Sequence, residues 1–380
     1  MEIKQLSNDI DIQRYLVELG VDSGGIKILS QKAKTELFYI KDLAVGAANI
    51  LKQDALSIGA DLAVPRGTVI AKEPYVDCIL IATTKQLHTL AKKELAQPFG
   101  LKNLAKHLQK HLAIKKDDGY SIMGVLNAND DSFFSASRFV GANAIKRIEQ
   151  MIEDGADIID IGGVSSRPGA DKVSPDEELN RVKPIMDAIK TNSLYKDVKL
   201  SIDSYEPSVV SYALESGFTI VNDITGFENE TLGKLCASYE ATAVVMHMQG
   251  DPQTMQKAPV YDDVIFDVYN YLELQTQKLE SLGVKDIVLD VGIGFGKTLE
   301  HNISLLKHLQ QFQHLGKKLL VGASRKSMID KIFPAKVEDR LSGTIALHLE
   351  AVRNGASIIR VHDVYEHKQA LEVFKALQRG

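Results

Sequence analysis

GADIIDIG (155–162) carries the reading on which the fold turns. Its first Gly suits a helix end, where the left-handed conformation satisfies the last carbonyls. A short Ile-rich run then follows and closes on polar or small residues. The same unit recurs along the chain. The apolar runs are SIMGVLN (121–127), ADIIDIG (156–162), VKLSID (198–203), FTIVND (218–223), TAVVMHM (242–248), DIVLDVG (286–292), KLLVGAS (318–324) and SIIRVHD (357–363). Between them, segments such as 142–154, 177–190 and 264–283 carry apolar residues at helical spacing. Gly217 and Gly355 repeat the punctuation of Gly155.

Near-continuous apolar strands alternating with helices indicate a parallel sheet covered on both faces. Eight such units in roughly 260 residues fit a closed (β/α)8 barrel of the TIM type. An open, doubly wound sheet is the alternative; it usually has fewer strands, so the count favours closure.

The first ~115 residues read differently. DCILIATTKQLHTLAKKEL (77–95) is a strand–helix pair, and SIGADLAVPRG (57–67) echoes the helix–Gly–strand punctuation. The expectation is an additional small N-terminal α/β domain over 1–117 and a barrel over 118–380, with IKKDDGY (114–120) as linker or exposed loop. No chemistry-bearing constellation stands out in the N-terminal part, which suits a structural or dimerising appendage.

Composition narrows the function classes. The 380-residue chain has 44% hydrophobic and 25% charged residues and a net charge of −5. No global basic field favours nucleic acid or an anionic membrane. The N-terminus lacks a signal-peptide pattern, and no apolar run approaches the ~20 residues of a membrane span. Cys78 and Cys236 form no metal spacing or disulfide framework, so the expected location is cytoplasmic.

Active sites of such barrels lie at the C-terminal strand ends. Those ends are polar here: Asn127, Asp160, Asp203, Asn222 with Asp223, His247, Asp290, Ser324 with Arg325 and Lys326, and Arg360 with His362 and Asp363. Singly, each has a plain structural explanation. Asp223 and Asp363 could cap helices, and His247 could be a packed core residue. Together they imply polar groups converging on one mouth. Asp203, Asn222 and Asp290 suit a flat heterocycle with ring N–H and amino donors. Arg360, His362 and Asn127 come from the last and first strands, and Arg suits phosphate. VGIGFGKT (291–298) mimics a nucleotide loop, but its spacing fits neither a P-loop nor a dinucleotide fingerprint. Its glycines suit a sharp bend or a close backbone approach. No tight metal-ligand spacing occurs, so any metal should be a hard ion such as Mg2+, held partly by substrate phosphate.

From about residue 120 onward the chain resembles the dihydropteroate synthase family. The resemblance rests on MGVLNANDDSFF (123–134), DIIDIGGVSSRPGA (157–170), SIDSYEP (201–207), NDITG (222–226), VVMHMQGDPQTMQ (244–256), DVGIGFGKT (290–298), VGASRKSMI (321–329) and IIRVHD (358–363). It implies the condensation of 4-aminobenzoate with 6-hydroxymethyl-7,8-dihydropterin diphosphate, a step of folate biosynthesis. It also implies roles. Asp203, Asn222, Met246, Asp290 and Lys326 would form the pterin pocket. Asn127, Arg360 and His362 would bind diphosphate, with Asn127 also a ligand of Mg2+. Asp131, Ser132 and Phe133 in one mobile loop, Ser166, Arg167 and Pro168 in another, and Phe295 and Ser327 would enclose the aminobenzoate. A homodimer and sulfonamide sensitivity are further implications. The first loop departs from the family pattern: Asp130 stands in place of Pro, and Ala136 and Ser137 in place of a Gly pair.

Two other readings share the pterin pocket. A methyltetrahydrofolate-binding methyltransferase would have no use for SSRPG (165–169), SRKS (324–327) or the Arg360/His362 pair. A pterin-binding protein without activity is supported by the altered first loop alone.

Overall fold

The structure is a computed structural model of the 380-residue chain. It describes all residues except 2, 7–9, 115–118, 129–136, 165–172, 251–253, 256–257 and 380. The chain divides into two compact units, Met1–Lys115 with Gln378–Gly380, and Lys116–Leu377.

The first unit holds a three-stranded antiparallel sheet of β1 (Thr35–Ala44), β2 (Asp61–Ala63) and β3 (Tyr75–Thr83), in the order β1-β3-β2. Sequence reasoning found β3 and the helix Thr84–Lys93 that follows it, whose start is fixed by a capping box between Thr83 and Gln86. It also found the turn into β2, where Gly59 has φ 76°. It did not single out β1. Alternate residues of β3, including Cys78 and Leu80, face a core with Leu51, Leu87, Leu90, Leu101 and Leu108.

The second unit is a closed parallel barrel of eight strands. They are β4 (Ser121–Asn127), β5 (Ile158–Gly162), β6 (Lys199–Asp203), β7 (Ile220–Asp223), β8 (Thr242–Met246), β9 (Ile287–Asp290), β10 (Lys318–Val321) and β11 (Ile358–Val361). Their order around the barrel follows the sequence, and β11 closes onto β4. Each lies within one of the eight apolar runs. Gly155, Gly217 and Gly355, with φ of 98°, 97° and 101°, turn the chain from helix to strand as expected.

Strand alternation explains the interior. Met123, Ile158, Ile220, Val244, Val288, Leu320 and Ile358 form one buried cluster that plugs the lumen. The intervening residues, such as Ile159, Val221, Val245, Leu289 and Ile359, join the larger core beneath the helices. Burying each such side chain contributes about 2 kcal/mol. Two residues beyond the plug, the same face of the strands carries Asp160, Asn222, Met246, Asp290 and Arg360. The apolar plug is thus the floor on which the polar layer stands. Among the described residues, no helix is long and apolar enough to cross a membrane.

Candidate active site

The polar layer is knit by charge. Arg360 Nε donates to Asp160 Oδ2 at 2.6 Å, and Arg360 Nη2 donates to Asp203 Oδ2 at 2.6 Å. Asn222 Nδ2 donates to the same Asp160 oxygen at 3.1 Å. Burial pushes the Asp203 carboxyl above the usual carboxylate range; the Arg360 charge opposes this shift and the Asp160 charge adds to it. Asp290 is also pushed up by burial, against the pull of Lys326, and its Oδ1 accepts from Gly292 N at 2.7 Å. Met246, adjacent in register to Asp290, brings a buried apolar surface beside these groups.

Lys326 enters from the turn after β10. Its ammonium donates to the Ile293 carbonyl and lies 4.5 Å from the centre of the Phe295 ring, a cation–π contact. Burial pushes its pKa down to about 8, with Asp290 pulling the other way. Ser327 opens the helix Ser327–Ile332 and is exposed. This turn is held from behind. Ala323 N donates to His348 Nε2 at 3.0 Å, and Arg325 N donates to Thr344 Oγ1 at 2.9 Å.

His362, just past β11, places Nδ1 2.9 Å from Ser324 Oγ. Asn127 ends β4, on the lumen side by alternation from Met123. The pairing of β11 with β4 brings the last and first strands together as the sequence indicated. The Arg360 side chain, however, reaches past β4 to β5 and β6 and pairs with the carboxylates there. Asp131, Ser132, Phe133, Ser166, Arg167 and Pro168 lie outside the described residues.

Several strand-end residues turn away from the lumen. Asp223 accepts from the backbone N–H groups of Thr225 and Phe227, at 2.7 and 2.9 Å. It therefore braces a tight turn rather than a helix start. Asp363 does precede a helix, but its carboxylate clamps Arg325 at 3.0 and 2.6 Å. His247 is a packed residue, 2.9 Å from Lys297 Nζ through Nδ1. Burial, then the Lys297 charge, lowers its pKa to about 3.

The glycine loop after β9 is a bend, not a nucleotide cradle. Gly292, Gly294 and Gly296 all have positive φ, and a Cβ on Gly292 would lie 1.9 Å from the His247 carbonyl oxygen. Inside the bend sits Lys297, 1% exposed. Its ammonium donates to the carbonyls of His247, Gly292 and Phe295 at 3.2, 3.0 and 2.9 Å, besides its contact with His247 Nδ1. Burial pushes its pKa down to about 7, opposed by Asp290. Lys297 staples the loop that presents Phe295 to the loop after β8.

Sequence reasoning missed two members of this architecture. The sequence marks Asp160 as a polar strand end without giving it a role; its position two residues past the plug residue Ile158 is the available signal. Lys297 gave no signal, because a lone Lys after three glycines reads as solvent-exposed.

Comparison with known proteins agrees with the barrel. The sequence pattern of the family described as pterin binding enzyme matches residues 123–362. A bifunctional dihydropteroate synthase/dihydropteroate reductase of Helicobacter pylori is 42% identical over 378 residues, covering 100% of this chain and 99% of that protein. The crystal structure of dihydropteroate synthase from Thermus thermophilus in complex with 4-aminobenzoate is 39% identical, with a TM-score of 0.62, and covers 68% of this chain and 95% of that one. The Yersinia pestis dihydropteroate synthase in a sulfonamide complex is 36% identical, with a TM-score of 0.63 and 69% and 94% coverage. The chain belongs to the dihydropteroate synthase family of pterin-binding enzymes.

Proposed function

We propose that this chain is a dihydropteroate synthase that joins 4-aminobenzoate to 6-hydroxymethyl-7,8-dihydropterin diphosphate, forming 7,8-dihydropteroate and releasing diphosphate. The observation that carries this reading is the charged layer in one lumen: two carboxylates and an amide on β6, β7 and β9, with a guanidinium on β11. A pterin offers adjacent ring and amino N–H donors to Asp203 and Asp290, while Asn222 can both donate and accept. Met246 packs on the ring.

The bond between the pterin methylene carbon and the diphosphate oxygen breaks, and a bond from that carbon to the aniline nitrogen forms. Diphosphate leaves with the electron pair, and the nitrogen loses a proton to solvent. The aniline is neutral near pH 7, so no strong general base is needed. Asp203 and Asp290 stabilise positive charge shared between methylene and ring. Arg360 and His362 take up negative charge on the leaving oxygens. Lys326 and Ser327 hold the aminobenzoate carboxylate, and Phe295 packs on its ring. The resemblance gives Asp131, Ser132, Phe133, Ser166, Arg167 and Pro168, all outside the described residues, the role of excluding water from the reaction.

Among the described residues, no cluster of three or more His, Cys, Asp or Glu could hold a metal by itself. The Asn127 amide oxygen is a hard donor beside the diphosphate end. This fits Mg2+ held mainly by substrate oxygens and by Asn127, where it would neutralise the leaving group. A cytoplasmic location and a homodimer complete the reading. They are supported by the resemblance and, for the location, by two free, buried cysteines.

One observation favours a second activity. The relative matched over the whole chain is named as a reductase as well as a synthase, whereas the two synthase structures match about two thirds of it. We propose that the chain also reduces dihydropteroate, with hydride delivered to C6 and a proton to N5, from a nicotinamide or flavin reductant.

Incubating the full chain with both substrates and Mg2+ and identifying products by mass spectrometry tests both activities. Dihydropteroate, and tetrahydropteroate when reductant is added, are expected. Absence of dihydropteroate would remove the synthase reading.

A further inference from the structure

Asp160 shares the lumen layer with Asn222, Asp290 and Arg360, yet the condensation has no step for it. Its side chain is wholly buried. Its Oδ2 takes bonds from Arg360 and Asn222, and its Oδ1 has no hydrogen-bond partner among the described residues. A buried carboxylate is costly unless its charge is paired, so the presence of Asp160 here calls for an explanation.

The Arg360 guanidinium supplies one. It is divided between two carboxylates, Nε on Asp160 and Nη2 on Asp203. Take Asp160 away, and the guanidinium settles on Asp203, the group the proposed function reserves for the pterin. We infer that Asp160 is a positioning residue that shares the Arg360 guanidinium and so leaves Asp203 available to the pterin. The same negative charge reduces the positive field that Arg360 presents to diphosphate. Asp160 therefore acts on the two ends of the substrate with opposite sign: it strengthens pterin binding and weakens the hold on diphosphate. The second effect helps the leaving group depart once the bond is broken.

This inference rests on the synthase reading of the lumen, and the test separates the two. Titration calorimetry on the full chain measures free 6-hydroxymethylpterin, and separately inorganic diphosphate with Mg2+. Wild type binds both. Asp160→Asn is expected to bind the pterin at least about tenfold more weakly and diphosphate measurably more tightly. Asp160→Glu, which keeps the charge, should move both affinities back towards wild type. If Asp160→Asn does not fold, Asp160→Ser carries the same expectation. Parallel weakening of both ligands, or no change in either, in a variant with an intact melting transition would overturn the inference. Wild type that binds neither ligand would overturn the synthase reading, and this inference with it.

Discussion

Arg360 and Asp203, which the sequence assigns to opposite ends of one substrate, form an ion pair with Nη2 2.6 Å from Oδ2. Arg360 also pairs with Asp160 at 2.6 Å. The two ends that the proposed function gives to pterin and diphosphate are thus joined by ion pairs through one guanidinium. Whatever draws Arg360 towards diphosphate also changes what Asp203 can offer the ring.

Arg360→Ala should therefore act twice. It removes the guanidinium that the proposed function sets against diphosphate, so the diphosphate substrate should lose more affinity than free hydroxymethylpterin. It also strands two carboxylates, which should lower stability by about 3 kcal/mol. Paired ligand titrations and urea unfolding check the two parts. Equal affinity loss for both ligands would argue against a phosphate role.

Lys326→Ala and Asp203→Ala should each reduce turnover to background. Lys326 also has a pH signature. Its pKa is held down to about 8 by burial, so the free pocket loses this positive charge as pH rises through about 8. Affinity for 4-aminobenzoate, and for sulfonamides that compete with it, should fall over that interval in wild type. A flat profile between pH 7 and 9 would detach Lys326 from the carboxylate.

Lys297→Met should lower stability by at least about 3 kcal/mol, because three backbone carbonyls, two of them in buried contacts, lose their donor and His247 Nδ1 loses its polar contact. The folded-state pKa of about 7 lies below the ordinary lysine value of 10.5. Between these two values the unfolded chain binds more protons than the folded one, so this group makes wild type more stable as pH rises. The stability gap between wild type and Lys297→Met should widen from pH 7 to pH 9.5, read by denaturant unfolding at both. A constant gap would contradict this placement of the ammonium.

Gly292→Ala should be severe for a single methyl. The residue has φ 69°, and the new Cβ would lie 1.9 Å from the His247 carbonyl oxygen. Melting temperature should drop, and the KM for 4-aminobenzoate should rise as Phe295 and Lys326 lose their support. A variant with unchanged melting temperature would mean that the bend is less constrained than the backbone indicates.

The barrel was legible because a parallel strand buried on both faces reads as a continuous apolar run, and Gly155, Gly217 and Gly355 mark three of the restarts. β1 was not, because alternation failed as a signal. Leu37 and Tyr39 are exposed apolar residues on the face opposite Phe38 and Ile40, so both faces read alike. In the site, Asp203, Asn222, Asp290 and Arg360 were legible as polar ends to apolar strands. Their mutual pairing was not, since a guanidinium reaching across a lumen to carboxylates 157 and 200 positions away leaves no trace in local spacing. Lys297 was hidden for a related reason: only the folded bend supplies its acceptors.

Continuous detection of diphosphate release is the sharpest test of the condensation. With Mg2+, dihydropterin diphosphate and wild-type chain present, adding 4-aminobenzoate should start release, matched mole for mole by dihydropteroate, and Lys326→Ala should abolish it. No release with both substrates, or release that ignores 4-aminobenzoate, would contradict the account.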